Sequence, residues 1–262
     1  MSDSFTGQVD INYLEQAART FVPLKQASYE RMQISPGQRV LDVGCGPGLD
    51  TIELSKIVTQ QGTSIGVDHS DEMIAEATEK ARQLKIESFV KFQQADAENL
   101  PFETEYFDSC RSERLFMHLP RPELVLTEMT RVIKPSGKIV VMDTDWPSLS
   151  IDCDYPWIEQ ALSGYRNNKV LTSGFVGRKL YRMFKNQSLT DINIEIIPLH
   201  TTDLNLFYAL SVQETVENQA VSEGVISQQQ LDEWRLNLRE NMENDVFFAS
   251  VNIIILSAGK PK

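Results

Sequence analysis

The stretch VLDVGCGPGLD, Val40 to Asp50, places Gly44, Gly46 and Gly48 directly after an apolar run. Glycines at this spacing let a chain turn sharply and let another group approach the backbone. Set between a strand and a helix, such a turn gathers backbone amides and a helix N-terminus around a polar ligand. Asp42 stands just before it. Two further acids fall where ligand groups are expected. Asp68 ends the next apolar run, about 20 residues past the turn, the usual place for an acid that accepts from ribose hydroxyls. Asp96, in QADAENLPF, ends a third run and can accept from an exocyclic amine such as that of adenine. Any one of these acids could simply close a turn. With the glycine turn they favour an adenosine-bearing ligand. The dinucleotide fingerprint GxGxxG would need glycine where Leu49 or Thr51 stands. The phosphate-cradling GxxxxGK[ST] is missing as well.

These groups meet only if their strands lie side by side. RVLDVG, TSIGVD, VKFQQAD, FDSCRS and KIVVMD read as five strands between Arg39 and Asp143. Helical spacing fills the gaps at Leu49 to Gln61, Asp71 to Leu84 and Arg121 to Ile133. Ser70 is the expected N-cap of the second of these helices. Strands alternating with helices imply a doubly wound parallel sheet. After Asp143 the rhythm changes: helices at Ile158 to Tyr165 and Val176 to Lys185, then two late strands, INIEIIPL and FFASVNIIILSAG. The expected organisation is an N-terminal helical cap over residues 1–38 and a catalytic domain over 39–262. Helical insertions are expected at about 146–172 and 203–245.

The 262 residues suffice for a sizeable core, and a net charge of -12 argues against a nucleic-acid partner. Asp203 to Asp245 holds nine Asp and Glu against two Arg, which reads as a solvated helical face. Three unpatterned cysteines, a polar N-terminus and no membrane-length apolar run suggest a cytoplasmic protein. Whether it is a monomer or a homodimer is not legible.

VLDVGCGPG, GVDHS, QADAENLPF and SERLFMHLPRPELVLTEMTRVIKPSGKIVVMD together resemble the motifs of class I S-adenosylmethionine-dependent methyltransferases. Their style is that of the ubiquinone/menaquinone-biosynthesis-like small-molecule branch. The resemblance spans roughly Val40 to Asp143. It implies a Rossmann-like seven-stranded sheet, mostly parallel with the last strand antiparallel, and S-adenosyl-L-methionine as cofactor. Gly44, Gly46 and Gly48 would lie beside the methionine part and Asp68 on the ribose. His69 would sit beside the adenine, with Asp96 and the Ala97 amide on it, and Ser112 near the methionine amine. The family's usual glycine is Ser136 here.

Methyl transfer asks the protein to align acceptor and methyl and, for many acceptors, to take up a proton. His118 is the candidate base, or else it fixes its loop by hydrogen bonds. Glu113 and Asp145 are the other catalytic candidates, and Arg114, Asp143 and Trp146 could orient an acceptor. Trp146 could equally be a packing residue. Asp143 and Asp145 lack the companions of an oxygen-rich metal site, so no metal is expected. Lys25 or Tyr13 could reach the cofactor carboxylate. Aromatics in the insertions suit a lid over a small, partly hydrophobic methyl acceptor. The rival readings are a catalytically silent cofactor-binding scaffold and a nicotinamide-dependent oxidoreductase.

Overall fold

The computed structural model describes residues 22–262. Its frame is a seven-stranded sheet of order β3-β2-β1-β4-β5-β7-β6. The strands are β1 Arg39–Val43, β2 Thr63–Asp68, β3 Val90–Gln94, β4 Phe107–Glu113, β5 Ile133–Ile151, β6 Thr190–Thr201 and β7 Ala249–Gly259. β1 to β5 pair in parallel, and β7 runs antiparallel between β5 and β6. The strand order reverses between β1 and β4, the switch point where open α/β sheets bind ligands.

Alternation along the strands divides the core. Val40, Val140, Met142, Ile253 and Ile255 meet α1 (Val22–Arg31) and α2 (Leu49–Val58) on one face. Leu41, Val43, Val141, Ile254 and Leu256 meet α4 (Pro122–Val132) and α6 (Val176–Asn186) on the other. Between α2 and α4, α3 (Asp71–Gln83) starts at Ser70, whose hydroxyl accepts the Met73 amide. Burial on both faces explains why the central strands read as continuous apolar runs.

β5 is much longer than the KIVVMD run. At its start, Lys134–Gly137 bulges between the pairs Phe107↔Ile133 and Ser109↔Lys138. Ser136, at φ 65, takes the left-handed conformation that suits glycine. At its end, the chain from Trp146, which reads as loop in the sequence, continues as strand to Ile151. There Ser150 and Ile151 pair with Ser250 and Ala249 of β7. This ribbon rises above the sheet and carries α5 (Pro156–Tyr165), a π-helical turn (Arg166–Val170), α7 (Leu204–Ser211), α8 (Gln213–Ser222) and α9 (Gln228–Glu243). These helices own a second core around Leu162, Phe207, Val216 and Trp234. Of the expected N-terminal helix, α1 is described; Tyr13 lies outside the described residues.

Candidate active site

The glycine turn is held from below by β2. The Gly44 and Cys45 amides donate to the Val67 carbonyl at 2.8 and 2.9 Å. The Gly46 amide donates to Asp68 Oδ2 at 2.9 Å, and Asp68 Oδ1 accepts the Ser70 amide at 3.0 Å. Asp68 therefore ties the turn to the start of α3, with the exposed His69 ring 3.2 Å away. Two glycines answer to packing: a Cβ at Gly44 would come within 2.9 Å of Leu115, and one at Gly48 within 2.6 Å of Phe92. Asp96 is exposed at the end of β3, where Oδ1 accepts the Glu98 amide, and Ala97 is half-buried.

Beneath the turn lies a buried charge cluster. Arg111, with no exposed surface, reaches Glu113 at 2.6 Å, Asp50 at 3.3 Å and Asp42 at 3.6 Å. Lys25 of α1 joins Asp50 at 2.5 Å and Glu113 at 2.9 Å, and the Tyr29 hydroxyl donates to Asp50. Burial pushes the Asp42 carboxyl up to about 6 despite Arg111 and the Thr51 hydroxyl at 2.8 Å. Burial would raise Asp50 too, but Arg111 and Lys25 outweigh it and hold that carboxyl far below the usual range. Asp42 and Glu113 thus face α1 and α2 within this cluster. Sequence reasoning missed Arg111 and Asp50. The available signal was an arginine at an inward position of an apolar strand beside acids.

A model of a methyltransferase domain matches residues 34–235. A 37.1 kDa uncharacterized protein in transposon TN4556 of Streptomyces fradiae is 30% identical over 254 residues, 95% of this chain and 71% of its own. The chain belongs to the class I S-adenosylmethionine-dependent methyltransferases. A demethylmenaquinone methyltransferase of Bacillus cereus is 36% identical over 118 residues, 45% of this chain. The chain spans about half the length of that relative, 49%. In fold it is similar to geranyl diphosphate C-methyltransferase of Streptomyces coelicolor, solved with Mg2+, geranyl diphosphate and S-adenosyl-L-homocysteine. The TM-score is 0.61 at 14% identity, covering 99% of this chain and 89% of that one.

S-adenosylmethionine is the cofactor of this methyltransferase, and the residues present fit it. Ser112 Oγ, at the end of β4 beside Val43, is buried without a hydrogen-bond partner among the described residues. A hydroxyl left in that condition costs stability unless a ligand group meets it. The carboxylates of Asp68 and Asp96 stand at the ends of neighbouring strands, on the side that the glycine turn opens.

Past β4 the chain makes a single 3₁₀ turn, Phe116–His118. Burial, then the charges of Arg114 and His69, push the His118 imidazole down to about 4, so the ring is neutral at pH 7 and a weak base. Buried Asp143 accepts the Met117 amide at 3.2 Å and the Thr144 amide at 2.8 Å, which anchors that turn on β5. Burial pushes its carboxyl up to about 7. Asp145 is turned toward α6, in a two-pronged pair with Arg178 at 2.9 and 3.0 Å. Among the described residues no three His, Cys, Asp or Glu side chains converge as metal ligands.

A cavity of about 80 Å³ opens at the ends of β4, β5, β6 and β7. Trp146, Leu149, Leu199, Phe207 and Leu210 supply its apolar wall, and Arg114 and Thr144 its inner polar edge. Trp146 is fixed from behind, with its indole N–H on Met117 Sδ at 3.0 Å and the Arg166 guanidinium 4.9 Å over its ring. Leu199, Phe207 and Leu210 come from β6 and α7. Their place could not be read from sequence, because only the tertiary fold brings them to β4. Among the described residues, no helix is long and apolar enough to cross a membrane.

Proposed function

We propose that this protein transfers the methyl group of S-adenosylmethionine to a small, partly hydrophobic metabolite. The observation that carries this reading is the apolar cavity, which begins at Arg114, just past the end of β4, the strand that pairs with β1 and its glycine turn. Bound cofactor supplies a methyl group on a sulfonium, an electrophile that needs alignment more than activation. In this reading Gly44, Gly46, Gly48, Asp68, His69, Asp96, Ala97 and Ser112 hold the cofactor. Asp42 acts one layer below, by setting the turn through Thr51 and Arg111. Arg114 and Trp146 orient the acceptor. His118 shapes the wall between the two ligands, and Asp143 fixes its turn. Glu113 and Asp145 act through their ion pairs, Glu113 on α1 and Asp145 on α6.

The helices on the β5–β7 ribbon form the lid. Phe207 and Trp234 point into its core, while much of the acidic surface of α9 faces water. A lid excludes water from the transfer and is drawn from less stable parts of a fold. The reading is tested by incubating the protein with S-adenosylmethionine labelled in the methyl group and a fractionated metabolite extract. Label should enter a low-mass, moderately apolar fraction. Label found only in macromolecules, or in no fraction while the cofactor binds, would overturn it.

A further inference from the structure

One helix departs from the charge of the rest of the chain. The 262 residues carry a net charge of -12, yet α6, VGRKLYRMFKN, holds Arg178, Lys179, Arg182 and Lys185 and no acid. Its pattern is two-sided. Val176, Leu180, Met183 and Phe184 are buried, while the four cations and Tyr181 are exposed. The N-terminal end is clamped to β5. Arg178 holds Asp145 in its two-pronged pair, and a Cβ at Gly177 would come within 2.9 Å of the Asp145 backbone. Lys185 lies over the Tyr181 ring, 5.5 Å from its centroid.

Beside this helix the sheet ends in β6, whose two faces differ. Glu195 pairs with Arg31 of α1, and Ile197 and Leu199 pack on the α1 side. By alternation, Ile194, Ile196, Pro198 and His200 lie on the α6 side. There α6 packs mainly on β5 and β7, and Ile194 and Ile196 stay 44% and 58% exposed. Bare isoleucines on an edge strand are a liability that chains normally blunt with charge. The row ends at His200, which stacks on exposed Phe248 with ring centroids 6.2 Å apart and also lines the apolar cavity. An apolar strip thus runs from Ile194 to the cavity alongside a basic helix.

We propose that α6 and the outer face of β6 form one docking surface for an anionic phospholipid bilayer. Lys179, Arg182 and Lys185 meet the headgroup phosphates, and Tyr181, Ile194 and Ile196 enter the interfacial layer. Such binding combines apolar area taken from water with cations drawn by the negative surface potential. The aliphatic stems of Lys and Arg let the charges stay at the headgroups while apolar neighbours sit deeper. A nucleic acid would use the cations and leave the isoleucines in water. The run of the strip into an apolar cavity favours the bilayer for the same reason. The surface does not depend on the methyl-transfer reading, because its cations and isoleucines belong neither to the glycine turn nor to the charge cluster beneath it.

The test is sedimentation of the full chain with two kinds of vesicle, phosphatidylcholine alone and phosphatidylcholine with about one-third phosphatidylglycerol, at low and high salt. The anionic vesicles should bind about tenfold or more tightly, and salt should remove that preference. The triple variant Lys179→Gln, Arg182→Gln, Lys185→Gln should lose it. Ile194→Ser with Ile196→Ser should weaken binding to anionic vesicles by about tenfold and keep its salt dependence. All the substituted residues are exposed, so both variants should keep native circular dichroism. No vesicle binding, equal binding to both kinds of vesicle, or native binding by the triple variant would overturn the proposal. In place of vesicle binding, heparin binding that ignores the isoleucines would mark a plain polyanion site. Self-association lost in the triple variant would mark a second copy of this chain. Either result would overturn the bilayer as occupant.

Discussion

Two buried polar hubs stabilise this protein, and they differ in what they hold. Under the glycine turn, Arg111 and Lys25 gather Asp42, Asp50 and Glu113 from β1, α2 and β4. In the helical layer on the β5–β7 ribbon, Glu217 has no exposed surface. It accepts from the Tyr208 hydroxyl at 2.8 Å, the Trp234 indole at 2.9 Å, Gln213 at 3.1 Å and Arg235 at 2.7 Å. The first hub is an ion cluster attached to the rigid sheet, and its members flank the cofactor turn. The second ties α7, α8 and α9 into one body, and Arg166, bonded to Gln213 and stacked on Trp146, leads from it to the apolar cavity. In the reading proposed above, one hub positions the cofactor, which every turnover consumes and replaces. The other, in the same reading, keeps the lid intact above the acceptor chamber. A lid with its own core would, on that proposal, move as a unit rather than by unravelling.

Breaking the first hub should have the largest effect. Arg111→Met leaves three carboxylates in a buried space with Lys25 to offset them, and Asp42 with no cation from Arg111; removing one partner of a buried pair costs about 3–5 kcal/mol. Urea denaturation should show that loss, and S-adenosylhomocysteine affinity should drop with it, because Asp42 and Asp50 flank the turn. A variant that melts like the native protein would mean the cluster is solvated.

Glu217→Gln should cost less, about 2 kcal/mol, by trading the Arg235 ion pair and keeping some of the donors satisfied. Here the contrast sharpens: S-adenosylhomocysteine binding should stay native while the lid helices exchange amide hydrogens faster. Weakened cofactor binding would merge the two hubs into one network.

A third effect concerns pH. Asp42, lifted to about 6 by burial, holds its proton more tightly folded than unfolded. Its contribution to native stability therefore falls as pH rises from about 4 to about 6. Asp42→Asn should remove that slope, so its stability relative to the native protein should improve between pH 4 and pH 6 and level off above. A constant difference across that range would show that Asp42 is not strained by ionisation.

The two regions also differ in how far the sequence disclosed them. Gly44 to Gly48, Asp68 and Asp96 are strand-end motifs, local in sequence, and the parallel frame they require was legible from alternating apolar runs. The late antiparallel strand followed from the family resemblance. The apolar cavity was not legible, because Leu199 and Phe207 reach β4 only through the reversed pairing of β6 and β7. The strand character of Trp146–Ile151 was hidden for the same reason: its partners, Ala249 and Ser250, lie about a hundred residues on. Glu113 reads as a free acid at a strand end, yet its neighbours Arg111 and Lys25 claim it.

In the proposed complex the cofactor lies across the glycine turn with its ribose on Asp68, and every other role follows from that placement. Calorimetric titration of the native chain and Asp68→Ala with S-adenosylhomocysteine, with NAD as control, tests it directly. The native protein should bind S-adenosylhomocysteine and not NAD. The variant, folded by its circular dichroism, should bind at least about tenfold more weakly, as loss of a charge-assisted hydrogen bond requires. Undiminished affinity in the folded variant, or a preference for NAD, would contradict the account.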